Sequence, residues 1–168
     1  MKDLLHKAKG GHARPPSSHW RHALISGACS FLGIGLLAAL SENGVHPWVL
    51  GSFGASCVLL FGYPDSPFSQ PRHVVVGHTL SSLVGLAALG VLGLHWWSMA
   101  LAVALAIMLM MKLGVMHPPA GSNPLIVMAL KPGWLFALMP SLAGALVLVV
   151  LGVLLINLQA DKHYPRYW

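Results

Sequence analysis

The sequence predicts an all-α, polytopic helical membrane protein, with four long spans plus two short broken segments, and three observations carry that prediction. Hydrophobic residues make up 56% of the chain and charged residues only 8%, whereas soluble domains carry about 25% charged residues. Runs almost free of charge, such as Val74 to Leu94 and Trp134 to Leu158, are long enough to cross a hydrocarbon core about 30 Å thick. Between the long runs lie two apolar segments interrupted by glycine and proline, each short for a crossing helix.

Residues 1–21 form a basic N-terminal arm, and 22–168 the transmembrane domain. The start MKDLLHKAKGGHARPPSSHW lacks the apolar core of a cleaved secretory signal. The net charge of +6 comes mainly from the two ends. Beside membrane spans, such charge points to the cytoplasmic face and to lipid headgroups rather than to nucleic acid. The expected location is the bacterial inner (plasma) membrane, with the N-terminus cytoplasmic. Cys29 and Cys57 sit inside apolar segments, where thiols act as small hydrophobes, and no metal-ligand spacing or cofactor motif is present.

The first span covers His22 to Leu40 and ends at the turn Ser41-Glu42-Asn43-Gly44. Pro47 to Gly62 is the first short segment; its centre, GSFGAS, is a poor helix former in water. YPDSPFSQPR, residues 63–72, is a loop at a membrane face. In the next span, His73 to Leu94, Gly77, Ser81 and Gly85 recur every four residues, the pattern of close helix contact. His95-Trp96-Trp97 suits the headgroup level, and Ser98 to Leu113 is the third span. MHPPAGSNPLI, residues 116–126, is the second break. Trp134 to Leu158 is the last span, with a kink expected at Pro140.

The broken segments occupy matching places in two halves, about 22–94 and 95–160, and share a local pattern. His46-Pro47 precedes Gly51-Ser52 in one, and His117-Pro118 precedes Gly121-Ser122 in the other. Such paired interruptions mark binding sites near the midplane of transporters. If both segments cross, each half crosses three times and the halves form a 3+3 inverted repeat. The basic ends, Arg72 and Lys112 then share a face, with Lys131 opposite. The positive-inside bias favours these six crossings over the four that result if both segments re-enter.

Unwound backbone in a membrane is tolerated only where protein or water satisfies it. The candidate ligand-binding residues are therefore Gly51, Ser52, Ser56, His117, Gly121, Ser122 and Asn123, joined by His78 and Arg72 as sources of positive charge or protons. Gly54, Pro118, Pro119, Ala120 and Pro124 shape the breaks. If a half-helix restarts at Asn123-Pro124, asparagine suits its cap and proline its first position, and the helix N-terminus favours an anion. Ser122 and Asn123 are equally suited to capping alone, His117 to locking the loop, and His78 to a place near a helix end. No carboxylate lies well inside a span, which also favours an anion over a cation.

MHPPAGSNPL resembles the His-Pro-Pro signature of the HPP family of small integral membrane proteins. GSFGASCVLLFGYPDSPFSQPRHVVVGH, Gly51 to His78, is similar to that family's first block, and YPRYW to its tail. The family's elements fall on Gly51, Ser52, Gly54, Ala55, Ser56, Gln70, Pro71, Arg72, His78, His117, Pro118, Pro119, Ala120 and Gly121. The chain departs at His73, where asparagine is expected, and at Ser122-Asn123, where relatives often carry smaller residues. Family members are described with four spans. Some cyanobacterial and plastid relatives are associated with nitrite transport, so the resemblance implies a channel or secondary transporter for a small inorganic anion. Nitrite or nitrate is the first candidate, with proton coupling open and a homo-oligomer expected. The alternatives are a non-transporting scaffold or sensor and a membrane-embedded metalloenzyme; the chain shows no nucleophile–base arrangement or intramembrane carboxylate pair.

Overall fold

The computed structural model describes residues 7–8, 13–44 and 47–168. Among these residues every regular element is helical. α1 is Trp20–Asn43, and α2 is Gly51–Cys57, continued by a π-helical turn at Val58–Gly62. A 3₁₀ turn at Pro67–Ser69 leads into α3, Pro71–Leu92, and α4 is Trp96–Lys112. A 3₁₀ turn at Pro118–Ser122 runs directly into α5, Asn123–Leu130. The last stretch enters through a 3₁₀ turn, Trp134–Ala137, and a π-helical turn, Leu138–Leu142, before α6, Ala143–Ile156. Among the described residues, three stretches are long and apolar enough to cross a membrane: Trp20–Asn43, Pro71–Leu92 and Trp134–Ile156. α4, the remaining expected span, has 17 residues, about 25 Å at 1.5 Å per residue.

Local chemistry sets the ends. The His19 ring accepts from the backbone N–H of Arg21 at the start of α1. α3 opens on Pro71, whose missing N–H costs nothing in a first turn, and stops at Gly93, where φ is 70°. His95 and Ser98 form a reciprocal cap on α4, which ends ahead of Gly114 at φ 63°. In the last stretch, Met139 takes an extended conformation ahead of a cis Met139–Pro140 bond. That is the backbone a residue before proline prefers. The expected kink is thus a full break in the helix.

α3 stands at the centre and packs against α4, α5 and α6. Its small face receives the second break. A Cβ added to Gly77 would lie 2.8 Å from His117 Cβ, and one added to Gly85 would lie 2.8 Å from Pro124 Cα. Between them, the Ser81 hydroxyl donates to the Ala120 carbonyl at 2.6 Å. One turn beyond Gly85, Ala88 and Met128 share a small core with Ala102 of α4. The chain from His117 to Met128 therefore runs parallel to α3, in step with it.

α2 runs antiparallel to α1 along most of its length. Near the end of α1 the Trp48 N–H donates to Ser41 Oγ at 2.8 Å; near its start, the His22 ring meets the Gly62 carbonyl at 2.9 Å and Ser26 Oγ donates to Phe61 O at 2.8 Å. The main core, including Phe53, Leu60, Phe61, Val74, Val127 and Leu148, fills the space among α1, α2, α3, α5 and α6. Large apolar side chains such as Leu24, Phe31, Met108 and Val150 remain exposed on the outside, as lipid contact requires. The tail docks on the 63–72 loop: Tyr164 donates through its hydroxyl to Ser69 O at 2.8 Å, and the Arg166 N–H donates to Gln70 Oε1 at 2.8 Å.

Candidate functional site

Three breaks in regular structure meet on one side of α3: the start of α2, the 117–123 turn and the Met139–Ser141 break. Where they meet lies a set of polar side chains withdrawn from the surface. Ser52, Ser56, His78, Ser81, Ser82, His117, Asn123 and Ser141 are all buried. Among the described residues, no Asp, Glu, Lys or Arg is. Counting at 1.5 Å per residue, His78 lies about 10 Å along α3 from Pro71, and Ser82 about 16 Å, near the middle of a bilayer core.

The hydrogen bonds form one chain, and its proton positions follow from the groups that can only accept. His117 Nδ1 lies 2.7 Å from the Phe68 carbonyl, so Nδ1 carries the hydrogen and, in a neutral ring, Nε2 is an acceptor. Ser56 Oγ sits 2.9 Å from that Nε2 and donates to it. The Asn123 amide nitrogen lies 3.1 Å from the His78 carbonyl, which fixes the orientation of the amide. The same nitrogen, which can only donate, also lies 3.1 Å from His78 Nδ1 and 2.9 Å from Ser82 Oγ, so its two hydrogens are shared among three acceptors. With Nδ1 accepting, His78 carries its hydrogen on Nε2, which donates to Ser56 Oγ at 2.8 Å. Ser82 shares a 2.7 Å hydrogen bond with Ser141. The chain thus leads from the loop carbonyl of Phe68, through His117, Ser56, His78, Asn123 and Ser82, to Ser141.

Packing holds the two rings in place. Phe53, fully buried, meets the His78 ring edge-on at 4.9 Å, and the rings of His78 and His117 are 5.0 Å apart. Phe53 itself is seated against Gly144 of α6. It is a core ring that braces the site. Among the described residues, two buried polar atoms, Ser52 Oγ and Asn123 Oδ1, have no hydrogen-bond partner. Both belong to residues of the broken segments, and an unpaired buried polar atom is costly to maintain.

Of the residues singled out in the sequence, Ser52, Ser56, His78, His117 and Asn123 converge. Gly121 and Ser122 are half-buried at the margin, where Ser122 Oγ donates back to Pro119 O. Pro119, Ala120 and Pro124 are buried parts of the turn. Gly51, Gly54 and Pro118 lie on the exposed side, and Arg72 is at the surface, 3.4 Å from the Leu113 carbonyl. Asn123 does not cap α5. Ser122 precedes it in helical conformation, Pro124 takes the second position, and the Asn123 N–H is already bonded to Ala120 O. The helix N-terminus expected to hold an anion is therefore continuous with the turn before it, and the asparagine side chain serves the histidine network instead. His6, His12 and His46 lie outside the described residues.

Ser82 and Ser141 were not legible as site residues. Ser82 stands one turn after His78 on the same face of α3, a spacing that could have flagged it. Nothing local distinguishes Ser141, which reaches the site because the chain breaks at Met139. Ser81 reads as a packing residue, and its hydroxyl anchors the turn.

Residues 15–165 match the family model described as HPP, transmembrane region. Two transmembrane proteins of Dictyostelium discoideum are similar to this chain. One is 35% identical over 95% of this chain and 60% of its own length, the other 34% identical over 96% and 56%. The chain thus spans somewhat over half the length of these relatives. No solved structure matches it. The integral membrane character read from composition, the two signature blocks and the family model agree, and the chain belongs to the HPP transmembrane family.

Proposed function

We propose that this chain is a channel or secondary transporter for a small inorganic anion, nitrite or nitrate first, and that the anion moves together with a proton. The observation that carries the reading is the buried His117–Ser56–His78 set at the meeting of the three breaks. A bare anion in a low-dielectric interior costs many kcal/mol unless its charge is balanced. Among the described residues, no lysine or arginine is buried there to balance it, and Arg72 is at the surface. The imidazoles are the groups at that depth able to take up a proton, and an anion arriving beside them would favour their charged form. A proton on the histidines therefore accompanies the anion, with Ser52 and Asn123 beside it.

The fold proposed with this function has six crossings. α2 is antiparallel to α1 and the 117–130 stretch is parallel to α3, orientations that support reading both as crossings and pairing them as equivalent members of a 3+3 inverted repeat. Basic residues at the arm, Arg72, Lys112 and the tail then share the cytoplasmic face of a plasma membrane. Assembly as a homo-oligomer is part of the proposal. The small face of α3 is already used within the chain, so a second copy would meet the exposed face of α1, where Gly27 and Gly35 stand open.

The test is uptake of nitrite, then nitrate, into vesicles reconstituted with the full chain and loaded with a pH dye. Anion-dependent proton entry above that of protein-free vesicles is expected. Substituting His117→Gln or Asn123→Ala should lower it about tenfold or more, the scale at which a lost buried polar contact acts. Rates equal to those of empty vesicles across pH and concentration would sink the reading.

A further inference from the structure

Ser56 has more neighbours than its one hydrogen can serve. Its oxygen lies 2.8 Å from His78 Nε2, 2.9 Å from His117 Nε2 and 3.1 Å from the Ser52 carbonyl. A hydroxyl has one hydrogen to donate and two lone pairs to accept with. With both rings neutral, His78 Nε2–H donates to Ser56, Ser56 donates to His117 Nε2, and the Ser52 carbonyl goes without the hydroxyl. When one proton is added at His117 Nε2, that ring becomes a donor at both nitrogens. Ser56 then accepts from both rings, and its own hydrogen turns to the Ser52 carbonyl. One N–H bond forms, no other covalent bond changes, and every donor in the set keeps an acceptor.

We infer that Ser56 is a two-position hydroxyl switch that lets this buried site hold either no proton or one, the bound proton residing on His117, while Asn123 keeps His78 in its Nε2–H form. The two rings have opposite tautomers in the unloaded state: Nδ1–H on His117, fixed by the Phe68 carbonyl, and Nε2–H on His78, fixed by the Asn123 amide. Identical tautomers would leave either two hydrogens or none between the rings.

The groups facing the pair are few. From α2 they are Ser52 and Ser56, and from α3 Ser82, with His73 lying toward the surface, where its ring meets the Met116 carbonyl at 2.9 Å. α5 contributes Asn123, and the last stretch Ser141 through Ser82. Arg72, the nearest basic side chain in sequence to these groups on α3, is exposed and bonds the Leu113 carbonyl. Ser56 thus supplies the hydrogen-bond response to the added charge.

This inference assigns the proton site of the proposed coupled transport, and it can be tested without transport. The full chain, labelled with ¹⁵N-histidine and held in lipid nanodiscs, is examined by NMR while pH is lowered. Near neutral pH, His117 should show Nδ1–H and His78 Nε2–H; on acidification His117 should become doubly protonated before His78 does. In Ser56→Ala the charged ring loses an acceptor and the neutral ring only a donor. Charge-assisted bonds being the stronger, the proton affinity of His117 should fall about tenfold, and Ser56→Thr should restore it, about 1.4 kcal/mol in either direction. The same tautomer on both rings, or an unchanged proton affinity in Ser56→Ala, would overturn the switch. The tautomers are read in the native chain, so the inference remains testable should the alanine variant fail to fold. Expected NMR behaviour with no nitrite or nitrate flux would refute the anion reading and leave the switch standing.

Discussion

Gly77 controls how closely His117 can approach α3. A Cβ there would sit 2.8 Å from His117 Cβ and 3.2 Å from the Val115 carbonyl, both on the stretch leading into the Pro118–Pro119 turn. Gly77→Ala should therefore push His117 out of reach of Ser56 and destabilise the fold by about 1–3 kcal/mol, as overpacking does. Gly90→Ala is the matched control, since a Cβ at Gly90 meets nothing within 4 Å. Thermal unfolding in detergent together with proton-coupled anion uptake separates the two variants; equal behaviour would show that the close approach does not matter. At this scale the sequence is informative about identity and poor about direction. The four-residue recurrence of Gly77, Ser81 and Gly85 identifies a contact face before any coordinates exist. The role of Asn123 does not follow from its neighbours. Asparagine ahead of a proline and an apolar run suggests a cap, yet the preceding 3₁₀ turn has already supplied the helix start, freeing the side chain to face His78.

Whole elements show a similar division. The two interrupted segments stand out because glycine and proline break otherwise apolar runs. That a third break would join them does not, because Pro140 alone suggests only a kink. Ser141 becomes a partner of Ser82 once Met139 leaves the helix. The tail is another element whose placement depends on distant contacts. YPRYW has the composition of an interfacial segment, but its position comes from Tyr164 donating to Ser69 O and Asn157 bonding both backbone groups of Tyr164. These contacts brace the 63–72 loop, and through Phe68 that loop orients His117. Tyr164→Phe should cost about 1–3 kcal/mol, the range for a buried carbonyl stripped of its donor. Burial raises the pKa of this phenol well above its ordinary value. The folded state therefore keeps the proton where an unfolded chain loses it. Stability from this group is full below about pH 10, the ordinary phenol value, and declines as pH rises beyond it. Unfolding measured from pH 8 to 11 should show a decline in the native chain that is weaker in the phenylalanine variant; parallel curves would place the alkaline sensitivity elsewhere.

For the molecule as a whole, the number of crossings decides the architecture, and length by itself misleads. Gly51–Gly62 is an apolar helix of only about 18 Å at 1.5 Å per residue, well short of a hydrocarbon core. It is preceded, however, by chain without helical hydrogen bonds from Pro47 to Leu50, and Leu50 itself is extended at φ −113° and ψ 143°. Extended residues advance about 3.3 Å each, so the lead-in and helix together reach roughly 30 Å. The second break uses the same device, with chain free of regular structure at Val115–His117, then the 3₁₀ turn, then α5. Half-extended, half-helical segments can therefore cross where a helix of equal sequence length cannot. Six crossings place Lys131 on the face opposite Arg72 and Lys112, whereas four would gather all three on the face away from the termini. Single substitutions Arg72→Cys, Lys112→Cys and Lys131→Cys, labelled with a membrane-impermeant maleimide in oriented vesicles, distinguish these arrangements. Native Cys29 and Cys57 are buried and should give little background. Arg72→Cys and Lys112→Cys should react from the side that bears the termini, and Lys131→Cys from the other. Labelling of all three from one side would remove the inverted repeat, and the paired breaks would then be re-entrant loops meeting at the same histidines.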